Sequence, residues 1–185
     1  MKKIILGIFA VAVFASCEVD DLKKLDLLNL PTGGYMRTIS PAAAALVYSK
    51  ANLGGATLTF VVEAVDPDGG TQSASYDIAA EFRDRTAANG NNTKALKTLK
   101  SIPTSGFTKD GTSGYLRGSF TVSAAEVMAS LGVTADQVTK GDSFELSTTL
   151  VMKDGRKYNA VNTDPDILGG AFYNSPFFHR INVVD

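Results

Sequence analysis

Of the side chains that carry most covalent and metal chemistry in proteins, this 185-residue chain holds one cysteine, Cys17, and one histidine, His179. A zinc site built on Cys or paired His needs more ligands than that and is excluded. A Ser–His–acid or Cys–His device needs an imidazole within hydrogen-bond reach of its nucleophile. His179 lies in a strand-like stretch, and no Gly-x-Ser-x-Gly elbow precedes a helix, so it reads as a structural or surface residue. With a single thiol no internal disulfide can form, and packing alone must stabilise the fold.

Acids are what remain. Glycoside hydrolysis needs only two carboxyl groups at a set separation, and Asp77, Glu81, Asp84 and Glu145 qualify by type. Period-two alternation explains most of them as a solvated strand face, so a non-catalytic protein is expected. Asp66-Pro67-Asp68 and Asp164-Pro165-Asp166 each place carboxylates two residues apart, where a turn can offer hard oxygens to Ca²⁺. The same tripeptide is good turn sequence, and neither run matches a Ca²⁺-loop consensus. Gly69-Gly70 and Gly169-Gly170 lack the Lys or helix that a phosphate-cradling loop requires. A net charge of −1 gives nucleic acid nothing to bind. For a sugar ligand there is no Trp; the candidate contacts are Tyr115, Tyr173 and Asn174, although edge packing also explains outward aromatics.

These residues must be held by strands. Residues 56–65 alternate, with Leu58, Phe60, Val62 and Ala64 on one face and Thr57, Thr59, Val61 and Glu63 on the other. Residues 75–86, 115–122 and 143–152 repeat that pattern, while 35–39 and 95–102 follow it less strictly. Lys153-Asp154-Gly155 between two such runs predicts a hairpin. Ser123 to Leu131 reads as a helix, with Ser123 and Glu126 forming a capping box and Gly132 stopping it. Ser40 to Leu53 suggests a helical turn, 103–114 an exposed flexible loop, 162–170 a polar loop, and 171–184 one or two closing strands. About seven to nine short strands with one helix predict an antiparallel immunoglobulin-like or fibronectin-type β-sandwich, with a closed barrel as the alternative.

The amino end has another organisation. Lys2 and Lys3 precede an apolar run from Ile4 to Ala15, far short of the ~20 residues a spanning helix needs. Ala15-Ser16-Cys17 resembles the lipobox of bacterial lipoproteins, with Phe14 where that family most often has Leu. The resemblance implies a signal peptide over 1–16, cleavage before Cys17, acylation of that residue, a linker over 17–31 and a single domain over 32–185. Two or three acyl chains hold a protein durably to a membrane where one does not. Losing Lys2 and Lys3 would take the net charge from −1 to −3. Glu18, Asp20 and Asp21 resemble the signal by which Bacteroidota export lipoproteins to the cell surface.

A further resemblance lies in Gly141-Asp142-Ser143-Phe144-Glu145-Leu146, Lys153 to Tyr158, Asn162-Thr163 and Ser175-Pro176-Phe177-Phe178. These are similar to stretches of small Bacteroidota outer-membrane lipoproteins encoded beside SusC/SusD-like nutrient-uptake pairs. That implies an accessory role, read as a surface binding or accessory subunit of a glycan-uptake system with the transporter pair or a glycan as partner. Beyond the lipid on Cys17, Ca²⁺ is the one candidate cofactor. The alternative is a structural or adhesion-type module that contacts other proteins.

Overall fold

Alternation of large apolar side chains decides where the chain pairs. The computed structural model describes residues 33–86 and 89–185, so the signal segment, Cys17 and the linker lie outside the described residues. The strands are β1 (Tyr35–Ser40), β2 (Val47–Ser49), β3 (Thr57–Val65), β4 (Ser73–Arg83), β5 (Lys94–Pro103), β6 (Thr108–Lys109), β7 (Leu116–Ser123), β8 (Ser143–Met152), β9 (Lys157–Tyr158) and β10 (Phe178–Val184). Among the described residues two α-helices accompany them, α1 (Ala124–Leu131) and α2 (Pro165–Gly169).

One sheet has the order β1-β3-β7-β6, and the other the order β2-β10-β8-β4-β5 with β9 added to β8. Every pairing is antiparallel except that of β10 with β2. The result is a two-sheet β-sandwich with one well-formed short helix. Phe60, Val62, Phe120 and Val122 face inward from one sheet; Tyr76, Ile78, Phe82, Phe144, Leu146 and Leu150 face inward from the other, all buried. Phe60 stacks on Phe120 at 5.2 Å between ring centroids, and Phe82 tilts against Phe144 at 5.1 Å. Two core tyrosines keep their hydroxyls satisfied, as burial demands: Tyr76 donates to Thr148 Oγ1 at 2.8 Å, and Tyr48 donates to the Val122 carbonyl at 2.8 Å.

α1 forms where the capping signature predicts it. The Glu126 N–H donates to Ser123 Oγ at 3.1 Å, and Gly132 ends the helix at φ 67°, a conformation that costs a glycine little. Its buried face, Ala124, Val127, Met128 and Leu131, packs towards β4 and β5 and bridges the two sheets along one side.

Three segments differ from their sequence-based expectation. The alanine-rich stretch holds β2 between two 3₁₀ turns, because Val47 and Tyr48 suit a strand and Tyr48 buries its ring in the core. The polar loop over 162–170 contains α2, capped by Asp164, whose carboxylate accepts from the Asp166 N–H at 2.9 Å, with Pro165 at the first helical position. The 103–114 loop is tied down: Thr104 is buried, its hydroxyl donates to the Ser73 carbonyl at 2.7 Å, and the Phe107 ring lies over Gly118 in the middle of β7.

A Cβ at Gly118 would run into that ring. Gly118→Ala is therefore expected to expel Phe107 and destabilise the protein by about 1–3 kcal/mol, the usual cost of overpacking. Urea denaturation measures it, and Phe107→Ala in the same background should remove most of the difference between Gly and Ala at position 118.

Candidate functional site

The outer face of the larger sheet changes character along its two central strands. Register places Glu81 opposite Glu145, Ala79 opposite Ser147, Asp77 opposite Thr149 and Ser75 opposite Val151. At one end the side chains are large and charged. Arg180 Nε donates to Glu145 Oε1 at 2.9 Å, Arg85 Nη2 lies 3.4 Å from the same oxygen, Arg83 Nε lies 3.6 Å from Oε2, and Arg83 Nη2 also binds Glu81 at 2.9 Å. Burial works to raise the Glu145 pKa, but the hydrogen bond from Arg180 and the charges of Arg180 and Arg83 outweigh it and hold the group below the usual carboxylate range. A hydrolase acid must keep its proton; Glu145 is arranged to lose it.

At the other end the outward residues are small, and the sheet surface sinks into a trough of about 660 Å³. Its floor is Ser75, Asp77 and Ala79 of β4 with Ser147, Thr149 and Val151 of β8. Leu96, Thr98 and Lys100 of β5 form one wall; Lys157, Asn159, Val161 and Phe178 form the other. Asp77 Oδ1 accepts hydrogen bonds from Ser75 Oγ at 2.9 Å and Ser101 Oγ at 2.5 Å, which fixes the carboxylate against the floor. Val161 stands 94 % exposed at the rim, and Phe178 is partly exposed with Arg180 over its ring at 5.8 Å. Hydroxyls, a carboxylate, an ammonium and apolar patches thus converge on one depression. Such a surface can bind a molecule with many hydroxyl groups.

The sequence-predicted residues fall elsewhere. Asp66 is 4 % exposed; its Oδ1 accepts from the N–H groups of Asp68 (2.9 Å) and Gly70 (2.8 Å), and its Oδ2 from that of Gln72 (2.9 Å). Asp68 accepts from the Gln72 side chain, and Asp164 caps α2 with Asp166 in its first turn. Each pair serves its own turn, and among the described residues no group of three or more His, Cys, Asp or Glu could hold a metal ion. Asp84 is likewise a turn acceptor, held below the usual carboxylate range by N–H donors of Asn92 and Thr86. Tyr115 sits in the turn closed by the Asp110 N–H donating to its carbonyl at 2.9 Å. Tyr173 packs edge-on against Tyr35 at 5.4 Å and against Phe172 at 5.2 Å. Asn174 clips the edge of β1, donating from its side chain to the Thr38 carbonyl while its own carbonyl accepts the Thr38 N–H at 2.8 Å. None of these three lines the trough. No single strand carries a signal that could have found it, because its residues are spread over β4, β5, β8, β9 and β10.

No family model matches the chain, and no curated protein does. Among solved structures it is similar to a solution structure of a candidate late embryogenesis abundant (LEA) protein, 12 % identical over 85 % of this chain and 82 % of that one, with a TM-score of 0.32.

His179 is an inward-facing strand residue, 6 % exposed, with its ring against Phe60 at 5.2 Å. Burial lowers its pKa from 6.5 to about 4. The unfolded chain takes up this proton below about pH 6.5, whereas the folded chain refuses it until about pH 4. This histidine's contribution is therefore full above pH 6.5 and falls away as pH drops towards 4, by about 3 kcal/mol at most. Denaturation of His179→Phe beside the wild type across that window should show the wild type losing ground as pH falls, and parallel curves would refute the assignment.

Proposed function

We propose that this protein is a non-catalytic, lipid-anchored subunit of the cell envelope whose trough binds a polyhydroxylated ligand, a glycan above all. The observation that carries the reading is the depression floored by Asp77, Ser147 and Thr149 and walled by Phe178 and Lys157. Sugars present an alternating pattern of hydroxyl edges and apolar faces, and the trough offers partners to both. The lipobox-like Cys17 supports attachment to the outer membrane, the acidic residues after it support display at the surface, and partnership with a SusC/SusD-like pair fits such an address. For the fold, we infer the immunoglobulin-like kind of sandwich. What supports it is the strand order: β1-β3-β7-β6 follows the A-B-E-D sheet, and β10-β8-β4-β5 follows G-F-C with an added edge strand.

Thr149→Arg should fill the trough without touching the core, since Thr149 points outward between buried Thr148 and Leu150. In affinity gels cast with a polysaccharide panel, the wild type is expected to be retarded by at least one member and Thr149→Arg to lose at least about tenfold in affinity, ~1.4 kcal/mol. Equal retardation of both proteins would remove the trough from the reading. No retardation by any polysaccharide, with co-purification of a transporter pair, would favour the adhesion-type module.

For the anchor, Cys17→Ala is expected to move the protein from the membrane pellet to the soluble fraction and to abolish the acyl mass on the mature amino terminus. An undiminished membrane-bound pool would overturn lipidation. Protease shaving of intact cells is expected to degrade the wild-type domain, which distinguishes surface from periplasm.

A further inference from the structure

The two long sides of the sandwich are closed differently. On one, α1 bridges β7 to β4 and β5. On the other, between β1 and β10, closure falls to the 41–46 connection and the 174–177 loop, and a cavity of about 560 Å³ remains there. That volume lies inside the range of ordinary ligand pockets, about 300–1,000 Å³.

Two of the residues lining it are buried and polar, Thr38 at 5 % and His179 at 6 % exposure. Thr38 Oγ1 and His179 Nε2 have no hydrogen-bond partner, and neither has Ser175 Oγ in the adjoining loop. Buried polar groups are nearly always paired, so two orphans on one cavity wall call for an explanation. The loop supplies another: Asn174 at φ 42° and Phe177 at φ 50° are the non-glycine residues with positive φ among the described residues. Asn174, which lines the cavity, tolerates that region; Phe177, the outlier of the two, lines the trough instead. The rest of the wall is mixed: Pro41, Leu46, Pro176 and Phe178 are apolar, and Asn174 and Asn182 are polar. The one charged side chain lining it, Arg180, is already tied to Glu145 at 2.9 Å.

We propose that this cavity, which shares Phe178 with the trough, is a second binding site for a small neutral molecule of monosaccharide size that sets an apolar face against Pro41, Leu46 and Pro176 and a hydroxyl between His179 Nε2 and Thr38 Oγ1. A hydroxyl both donates and accepts, which is what an unpartnered imidazole nitrogen and a threonine hydroxyl together require. Neutrality follows from the absence of any lining charge not already neutralised. Both atoms are covered in the structure, so as the ligand enters the Thr38 hydroxyl must turn to another staggered rotamer and the imidazole must rotate.

Because His179 is the single histidine, its imidazole NMR signals are unambiguous. The full chain is titrated with methyl α-D-glucopyranoside, methyl α-D-galactopyranoside and myo-inositol while those signals are followed. At least one probe is expected to shift them saturably in the millimolar range. Ala42→Trp, at an exposed position on the cavity rim, should weaken that response at least about tenfold. Thr38→Val, which keeps the shape and removes the hydroxyl, should weaken it as well, so the inference does not hang on one variant's folding. Thr149→Arg should leave it unchanged, which separates this site from the trough. No saturable shift with any probe would overturn the proposal. So would a response that survives Ala42→Trp and Thr38→Val, or one that disappears in Thr149→Arg.

Discussion

The pairing register of β4 with β8 is the constraint on which the rest depends. Tyr76 faces Leu150, Ile78 faces Thr148, Ala80 faces Leu146 and Phe82 faces Phe144, all towards the core. The intervening pairs, Asp77 with Thr149 and Glu81 with Glu145, face out. A slip of β4 by one residue would turn all its side chains to the opposite face. Asp77 and Glu81 would then be driven between the sheets, and Tyr76, Ile78, Ala80 and Phe82 would be driven into water. Core and trough are thus two readings of one ladder, and neither can shift without the other.

Charge reinforces that ladder from outside. Each sheet carries a carboxylate on a central strand, turned away from the core and yet shielded from water. In the smaller sheet, Glu63 is 0 % exposed, opposite Arg37 on β1 and Arg117 on β7 in direct cross-strand register. Its oxygens lie 3.0 Å from Arg37 Nη1 and 2.8 Å from Arg117 Nη2, and Ser113 Oγ adds a further hydrogen bond. Phe172 lies over the Arg37 guanidinium at 5.2 Å and covers the group from above. Glu145 occupies the equivalent role in the larger sheet, between Glu81 and Arg180. A buried ion pair adds little net stability against an apolar replacement, but losing one partner leaves a charge stranded, at a cost of several kcal/mol. The clusters therefore penalise wrong registers more than they reward the right one.

What the sequence made legible was local. The cap residues Ser123, Glu126 and Gly132, the Asp154-Gly155 hairpin, and the period-two runs of β3, β4 and β8 all declare themselves within a few residues of chain. Their strands assemble into the two-sheet sandwich expected, apart from β2, β6 and α2, which are short. In α2 the capping Asp164 and following Pro165 were legible but compete with plain turn chemistry. The burial of Glu63 was hidden, because its partners Arg37 and Arg117 come from strands distant in sequence, and alternation alone assigns it to solvent. The same holds for the trough: Asp77, Thr98, Thr149 and Phe178 come from four strands, and nothing in any one of them marks it as a wall or a floor. Tyr115, Tyr173 and Asn174 stood out by residue type, and type carries no information about where a side chain sits.

The division of the outer face explains how a binding surface can coexist with a stable sheet. Cross-strand pairs of large or oppositely charged residues are what ordinarily stabilise an exposed sheet face, at about 0.2–1 kcal/mol each. Ser75, Ala79 and Ser147 contribute little of that kind, so a sheet surfaced entirely with such residues would hold its register weakly. Here the Glu81, Arg83, Glu145 and Arg180 cluster fixes the register at one end of β4 and β8. The Tyr76–Thr148 hydrogen bond and the buried ladder fix it from below. With register held by those two devices, the remaining outward positions are released from pairing duty. They can be small, polar and unpaired, which is the condition for a depression on a face that would otherwise be flat.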